Sequence, residues 1–164
     1  MKAIKELREE TKGQTRMLYH LNYWDGPISG VMLWNGERCY FNQSDERSEV
    51  REYTESEIEN WKKYCIDTNM EFDIDDCRDY YNYRQYKVYK TPLDIMQQLD
   101  ENHNLFRRYV GIHTDYDENG SRYMGKGYLK PSKYHKKFYD RKPTITCDIS
   151  KECENWNVIG EFEY

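Results

Sequence analysis

Tyr19, Leu21 and Tyr23 alternate with His20 and Asn22, the two-residue period of a half-buried strand. The pattern predicts a strand from Met17 to Trp24, stopped by Asp25-Gly26-Pro27. Pro27 cannot donate to a ladder, and Gly26 and Gly30 tolerate positive φ, so DGPISG is expected as a wide connection. Val31 to Trp34 reads as a second strand. Asn35-Gly36 then specifies a type I′ hairpin into Glu37–Phe41, because that turn needs positive φ at both central residues. A three-stranded meander results, with its aromatic rings filling sheet faces. Upstream, Ile4 and Leu7 form a small apolar stripe on one or two helical turns over residues 3–10, ended by Gly13.

Downstream, residues 43–53 are charged and are expected to form a loop. Thr54-Glu-Ser-Glu57 is a capping box, in which Thr54 caps the backbone and Glu57 reaches back, so a helix is predicted over 55–66. Its buried stripe is Ile58, Trp61 and Cys65, with Tyr64 at the edge and Lys62 and Lys63 in water. The acidic run from Met70 to Tyr83 reads as irregular, and Tyr83–Lys90 as a strand. Thr91-Pro92 starts the next helix, with Thr91 as cap, Pro92 at the first helical position and Asp94 complementing the dipole. Leu93, Met96, Leu99, Leu105, Phe106, Tyr109 and Val110 keep helical spacing, with an interruption expected at 102–104. A turn at Asn119-Gly120, a short helix beyond Pro131 and a closing strand with Val158, Gly160, Phe162 and Tyr164 on one side complete the chain. The fold class expected is α+β, a bent antiparallel sheet of four to six strands with two main helices packed on it. Residues 1–164 are expected to form one compact domain.

Composition changes this picture in one respect. Leu, Ile, Val and Phe supply only 28 of 164 residues, under the roughly 20% that, with high net charge, flags disorder. Net charge is only −5, so self-repulsion does not oppose compaction. The missing apolar area must come from 17 Tyr and 4 Trp, whose polar tips need partners once buried. A single Ala among plentiful Asn, Lys, Tyr and Ile points to AT-rich coding DNA, hence to a low-GC bacterium or its phage. Residues 1–14 contain no signal-length apolar run, and no window has the 18 apolar residues of a membrane span. A cytoplasmic protein is expected. Its five cysteines, none spaced C-x-x-C, are expected as reduced structural thiols.

Chemistry-bearing patterns are fragmentary. Asp115 to Gly120 matches the first half of an EF-hand loop, but the twelfth position is Lys126, which repels a cation. His113-Thr114-Asp115 has the H-x-T form of half a two-histidine phosphodiesterase site, with no second copy. His113, Asp115 and Asp117 together could ligate a divalent ion for phosphodiester hydrolysis. Asp73, Asp75, Asp76 and Asp79 read as a solvated acidic run. Phosphate loops, nucleophile elbows and H-E-x-x-H stretches are missing from the sequence.

The dominant signal is charge asymmetry. Residues 122–142 carry eight bases against one acid, +7, which leaves −12 on the rest. Arg122, Tyr123, Lys126, Tyr128, Lys130, Lys133, Tyr134, Lys136, Lys137 and Tyr139 interleave cations with rings, the pairing that holds phosphates and stacks bases. These ten residues are the expected ligand-binding set; no catalytic residue, metal or cofactor is assigned. The alternative for the arm is internal neutralisation by the acidic segment 45–79. The function expected is a non-enzymatic binding or interaction protein, of the kind phages and mobile elements carry as accessory factors. It would capture a nucleotide or other phosphate-bearing ligand, a nucleic acid or an acidic protein surface, or block a host protein, and homo-oligomerisation is expected with it. The rivals are a metal-dependent phosphodiesterase or nuclease on His113, Asp115 and Asp117, and an acidic mimic of nucleic acid on residues 45–79.

Overall fold

A computed structural model describes residues 1–23 and 26–164. The fold is α+β: an open, bent antiparallel sheet with helices, strand order β1-β2-β3-β4-β5. Its elements are α1 (Ile4–Glu10), β1 (Arg16–Tyr23), β2 (Pro27–Trp34), β3 (Glu37–Glu52), α2 (Glu55–Thr68), β4 (Arg78–Tyr89), α3 (Leu93–Tyr109), α4 (Ser132–Tyr139), α5 (Ile149–Glu152) and β5 (Val158–Glu163). The contacts divide the chain into two compact units, Met1–Ser44 with Gln85–Tyr164, and Asp45–Arg84. Strands β3 and β4 supply residues to both.

In the first unit the sheet is buried on both faces. Met17, Met32, Cys39, Phe41, Tyr86, Val88 and Phe162 pack on one side with Ile4 and Leu7 of α1. Tyr19, Val31, Tyr40 and Tyr89 pack on the other against Met96 and Leu99 of α3 and Ile149 of α5. The alternation of Cys39, Tyr40 and Phe41 between faces is the strand period at work. Tyrosine does become core: Tyr19, Tyr40 and Tyr86 are among the largest fully buried side chains. Burial of a ring requires a partner for its hydroxyl; Tyr86 donates to the Pro27 carbonyl at 2.5 Å and Tyr19 to Asp100 at 3.0 Å.

The second unit holds the outer parts of β3 and β4 with α2. Asn69, left-handed at φ 55°, ends α2. Thr54 accepts from the Glu57 N–H, and Glu57 accepts from the Thr54 N–H at 2.8 Å, forming the expected capping box. Arg51 donates to both Glu57 (3.1 Å) and Asp79 (2.7 Å), joining α2 to β4, while Cys65 and Cys77 are buried.

Several local expectations are corrected. DGPISG is no wide connection, since β2 begins at Pro27, paired with Tyr23; proline is tolerated at the first residue of a strand. Trp24 and Asp25 of that turn lie outside the described residues. Residues 43–52 are strand, carrying alternating charges in place of apolar ones. Irregular structure ends at Cys77, and β4 already runs from Arg78. Helix α3 continues through 102–104 because tertiary partners hold it there. Thr91 does not cap it, and Pro92 is the N-cap in place of the first helical residue, which is Leu93: the Thr91 hydroxyl accepts from the Tyr40 N–H at 2.8 Å and donates to the Tyr89 carbonyl, tying β3 to the end of β4. The type I′ turn stands as expected, with φ of 50° at Asn35 and 85° at Gly36.

Candidate functional site

Helix α3 presents Asp100, His103, Asn104 and Arg107 at the three- and four-residue spacing of one face. These residues, with Arg16, Leu18 and Tyr19 of β1, Arg38 of β3 and Tyr116, Asp117, Glu118 and Tyr123, line a polar cleft of about 530 Å³. Such a volume falls in the range of small-molecule sites. Backbone bonds hold the cleft's second wall against β1: the Tyr116 N–H donates to the Leu18 carbonyl, and the His20 N–H to that of Thr114, both at 3.0 Å. Asp117 then closes the Asn119-Gly120 turn by accepting from the N–H groups of Asn119 and Ser121.

Two of the lining residues, His103 and Arg107, are joined by the buried Asp115. Asp115 accepts from His103 Nε2 at 2.6 Å on one oxygen and from Arg107 Nε at 2.9 Å on the other. A carboxylate accepts, so Nε2 carries the proton in this pair. The His103 ring lies flat under Tyr19, centroids 3.6 Å apart. Desolvation lowers the His103 pKa, and Asp115 opposes that shift. Burial, then Asp100, raises the Tyr19 phenol. Asp100 also takes an ion pair from Arg38. Two of the cleft's three arginines are therefore already answered by carboxylates.

Arg16 is not. It is half-buried, and among the described residues no hydrogen bond or ion pair reaches its guanidinium. It also lines two adjoining hollows, one with Lys5 and Arg8, the other with Arg8 and Lys12. Glu118 shares its wall; the Glu118 backbone carbonyl accepts from Arg8, and its carboxylate is likewise unengaged among the described residues. A guanidinium held in a concave, partly dehydrated site is a ready partner for a planar or tetrahedral oxyanion.

Of the ten residues expected to bind a ligand, Tyr123 reaches this cleft. The others are dispersed. Arg122 donates to the His113 carbonyl (3.3 Å) and reaches the Tyr128 hydroxyl (3.4 Å). Lys130 donates to the carbonyl of Arg108 at 2.6 Å, Lys133 lies over the Tyr134 ring, and Lys136 pairs at 3.0 Å with Asp140, the residue that follows its helix. Lys126, Lys137 and Tyr139 are exposed. Helix α4 docks on α3 through Phe138 against Phe106, with centroids 5.2 Å apart.

His113, Asp115 and Asp117 are not brought together as ligands. His113 packs against Phe106 and Tyr128, and both Asp115 oxygens are occupied. Among the described residues no group of three His, Cys, Asp or Glu is placed to hold a metal ion. Asp73, Asp75 and Asp79 bond to the Asp75 N–H, Arg78 and Arg51, respectively. All five cysteines are free.

Sequence reasoning passes over Arg16, Arg38, His103 and Arg107. Spacing gives no signal for the first: Lys5, Arg8, Lys12 and Arg16 recur every three or four residues, but α1 ends at Glu10, Lys12 is left-handed at φ 52° and Arg16 already opens β1. Arg38 and Arg107 carry no mark either. No family model matches the chain, nor does any curated protein or solved structure.

Proposed function

We propose that this protein binds a small phosphate-bearing anion in the cleft of Arg16, Arg38 and Arg107, capturing it without converting it. The observation that carries the reading is the half-buried Arg16 guanidinium, unpaired among the described residues in a concave polar site. Arg38 and Arg107 support it, held in place by Asp100 on the cleft wall and by the buried Asp115, respectively. The set is a binder's more than a hydrolase's, because Asp115 is spent on holding His103 and Arg107. A cytoplasmic setting fits the five free thiols. A phage or mobile-element accessory role, and self-association, belong to this reading on the strength of composition and analogy.

Calorimetric titration with inorganic phosphate and ribose 5-phosphate at low ionic strength tests it. Saturable one-site binding is expected, weakened about 10-fold or more in Arg16→Gln, the scale of a lost charge-assisted hydrogen bond. Glu118→Gln removes a repelling carboxylate and should tighten binding. Absence of binding by the unmodified protein, or equal affinity in Arg16→Gln, would end the proposal.

A second reading draws on the other unit. Residues 45–79 hold 13 acids against 5 bases, and Val50, Tyr64, Ile66, Met70 and Ile74 are exposed among them. Acidic surface with exposed apolar side chains suits a basic protein partner, as a nucleic-acid mimic would. Charge reversal at Glu55, Glu59 and Asp67, set against reversal at Lys133, Lys136 and Lys137, separates this reading from one based on the arm: partner capture should depend on the first set alone.

A further inference from the structure

The cleft has a second feature that a site for bare phosphate does not need. Tyr123 lines it with 38% of its surface exposed, in a position fixed from two directions. Its backbone N–H donates to the Asp115 carbonyl at 2.9 Å, so the ring leaves the main chain beside the His103–Asp115–Arg107 cluster. Its ring lies against Gly125: a Cβ added there would come within 2.5 Å of the phenol oxygen and 2.6 Å of the ring carbon bearing it. Gly125 therefore leaves room that any other residue would fill, and the tyrosine tip rests on bare backbone. A ring so seated loses little further freedom when a flat partner covers it, which favours stacking.

We infer that the cleft's ligand is a nucleotide, with its phosphate on Arg16 and its base stacked on Tyr123. The inference rests on the anion-binding reading above and adds the chemical class of the ligand. A cleft of about 530 Å³ exceeds the needs of inorganic phosphate and suits a nucleoside monophosphate. Asp100 and Asn104 on the same walls supply polar groups for a sugar or a base edge. Stacking tolerates every base, so the platform by itself sets no strong preference between purine and pyrimidine.

The test compares AMP and GMP with ribose 5-phosphate and inorganic phosphate by calorimetry on the full chain. The nucleotides should bind about 5- to 150-fold more tightly than ribose 5-phosphate, the increment that one aromatic stack carries. Tyr123→Ala should erase that increment while leaving ribose 5-phosphate affinity in place; Tyr123→Phe should keep it, since the hydroxyl is not the stacking surface. Gly125→Ala, which displaces the ring, should reduce it. Far-UV circular dichroism of each variant checks that the fold is retained. Nucleotides binding no better than ribose 5-phosphate, or an increment that survives Tyr123→Ala, would overturn the inference and leave the anion site standing. Failure of every phosphate compound to bind would instead remove the reading on which it depends.

Discussion

Mild acid should destabilise this protein well above the pH at which its carboxylates titrate. His20, only 5% exposed, is lowered from 6.5 to about 4, first by burial and then by the nearby Arg122 and His113; Asp115 opposes these and His103 adds to them. The unfolded chain therefore takes up a proton near pH 6.5 that the folded chain refuses until about pH 4. The stability involved is complete above 6.5 and is lost as pH falls toward 4. At about 1.4 kcal/mol per pH unit, His20 alone removes about 3 kcal/mol across that window, a large share of the roughly 5–15 kcal/mol of a typical domain. His103 and His113 are lowered by burial as well and act in the same direction. Glu57, Asp79 and Asp148 are lowered carboxylates whose contribution is lost only at lower pH, as it falls through their folded-state values. Urea unfolding followed by tryptophan fluorescence at half-unit steps from pH 7.5 to 4 gives the slope directly. His20→Gln should flatten it by about one proton. A stability constant from pH 7 to 4.5, or an unchanged slope in the variant, would refute the assignment of a buried neutral imidazole.

Asp115→Ala leaves His103 Nε2–H and Arg107 without their acceptor. Breaking a buried pair costs about 3–5 kcal/mol, and the 46% exposure of the Arg107 side chain lowers the expectation to about 2–4 kcal/mol; urea midpoints read it, and Asp115→Asn, which keeps an acceptor, should cost less. Thr54→Ala removes the α2 cap and should destabilise by about 1 kcal/mol. Hydrogen exchange in α2 should speed up while that of α3 is unaffected, because the cap acts within its own unit.

Features decided within a few residues are legible in the sequence. The Asn35-Gly36 turn follows from the φ that only such residues accept, and the Thr54–Glu57 box from two reciprocal bonds across one turn. The outer half of β3 is not legible, because its alternation is between charges and its strand state is decided by a neighbouring strand. Helix α3 fails to break at Asn102 to Asn104 for a similar reason. Local propensity there is poor, but His103 is bonded to Asp115 and Asn102 accepts from Arg141, and tertiary contacts outweigh a few tenths of a kcal/mol of propensity. Thr91-Pro92 shows the reverse: a correct helix start inferred from a cap whose hydroxyl is in fact engaged with β3 and β4.

The cleft was legible only in part because its cations come from β1, β3 and α3, whose meeting is set by topology and not by spacing. The 122–142 charge run reads as a surface, yet its contribution to the cleft is one ring, while Lys130 settles on the Arg108 carbonyl at the end of α3 and Lys136 on nearby Asp140. The residue that joins these parts is Asp115. Its side chain holds Arg107 and its carbonyl holds the Tyr123 N–H, so one position fixes a guanidinium and the proposed stacking ring on the same frame. The two contacts are separable by chemistry. A side-chain substitution at 115 releases the arginine but leaves the carbonyl in place, so Asp115→Asn should weaken phosphate affinity more than it weakens the increment contributed by the base. A variant that lost both together would mean that the cluster organises the whole loop from 112 to 123, and that the ring owes its position to the ion pair and not to its own backbone bond.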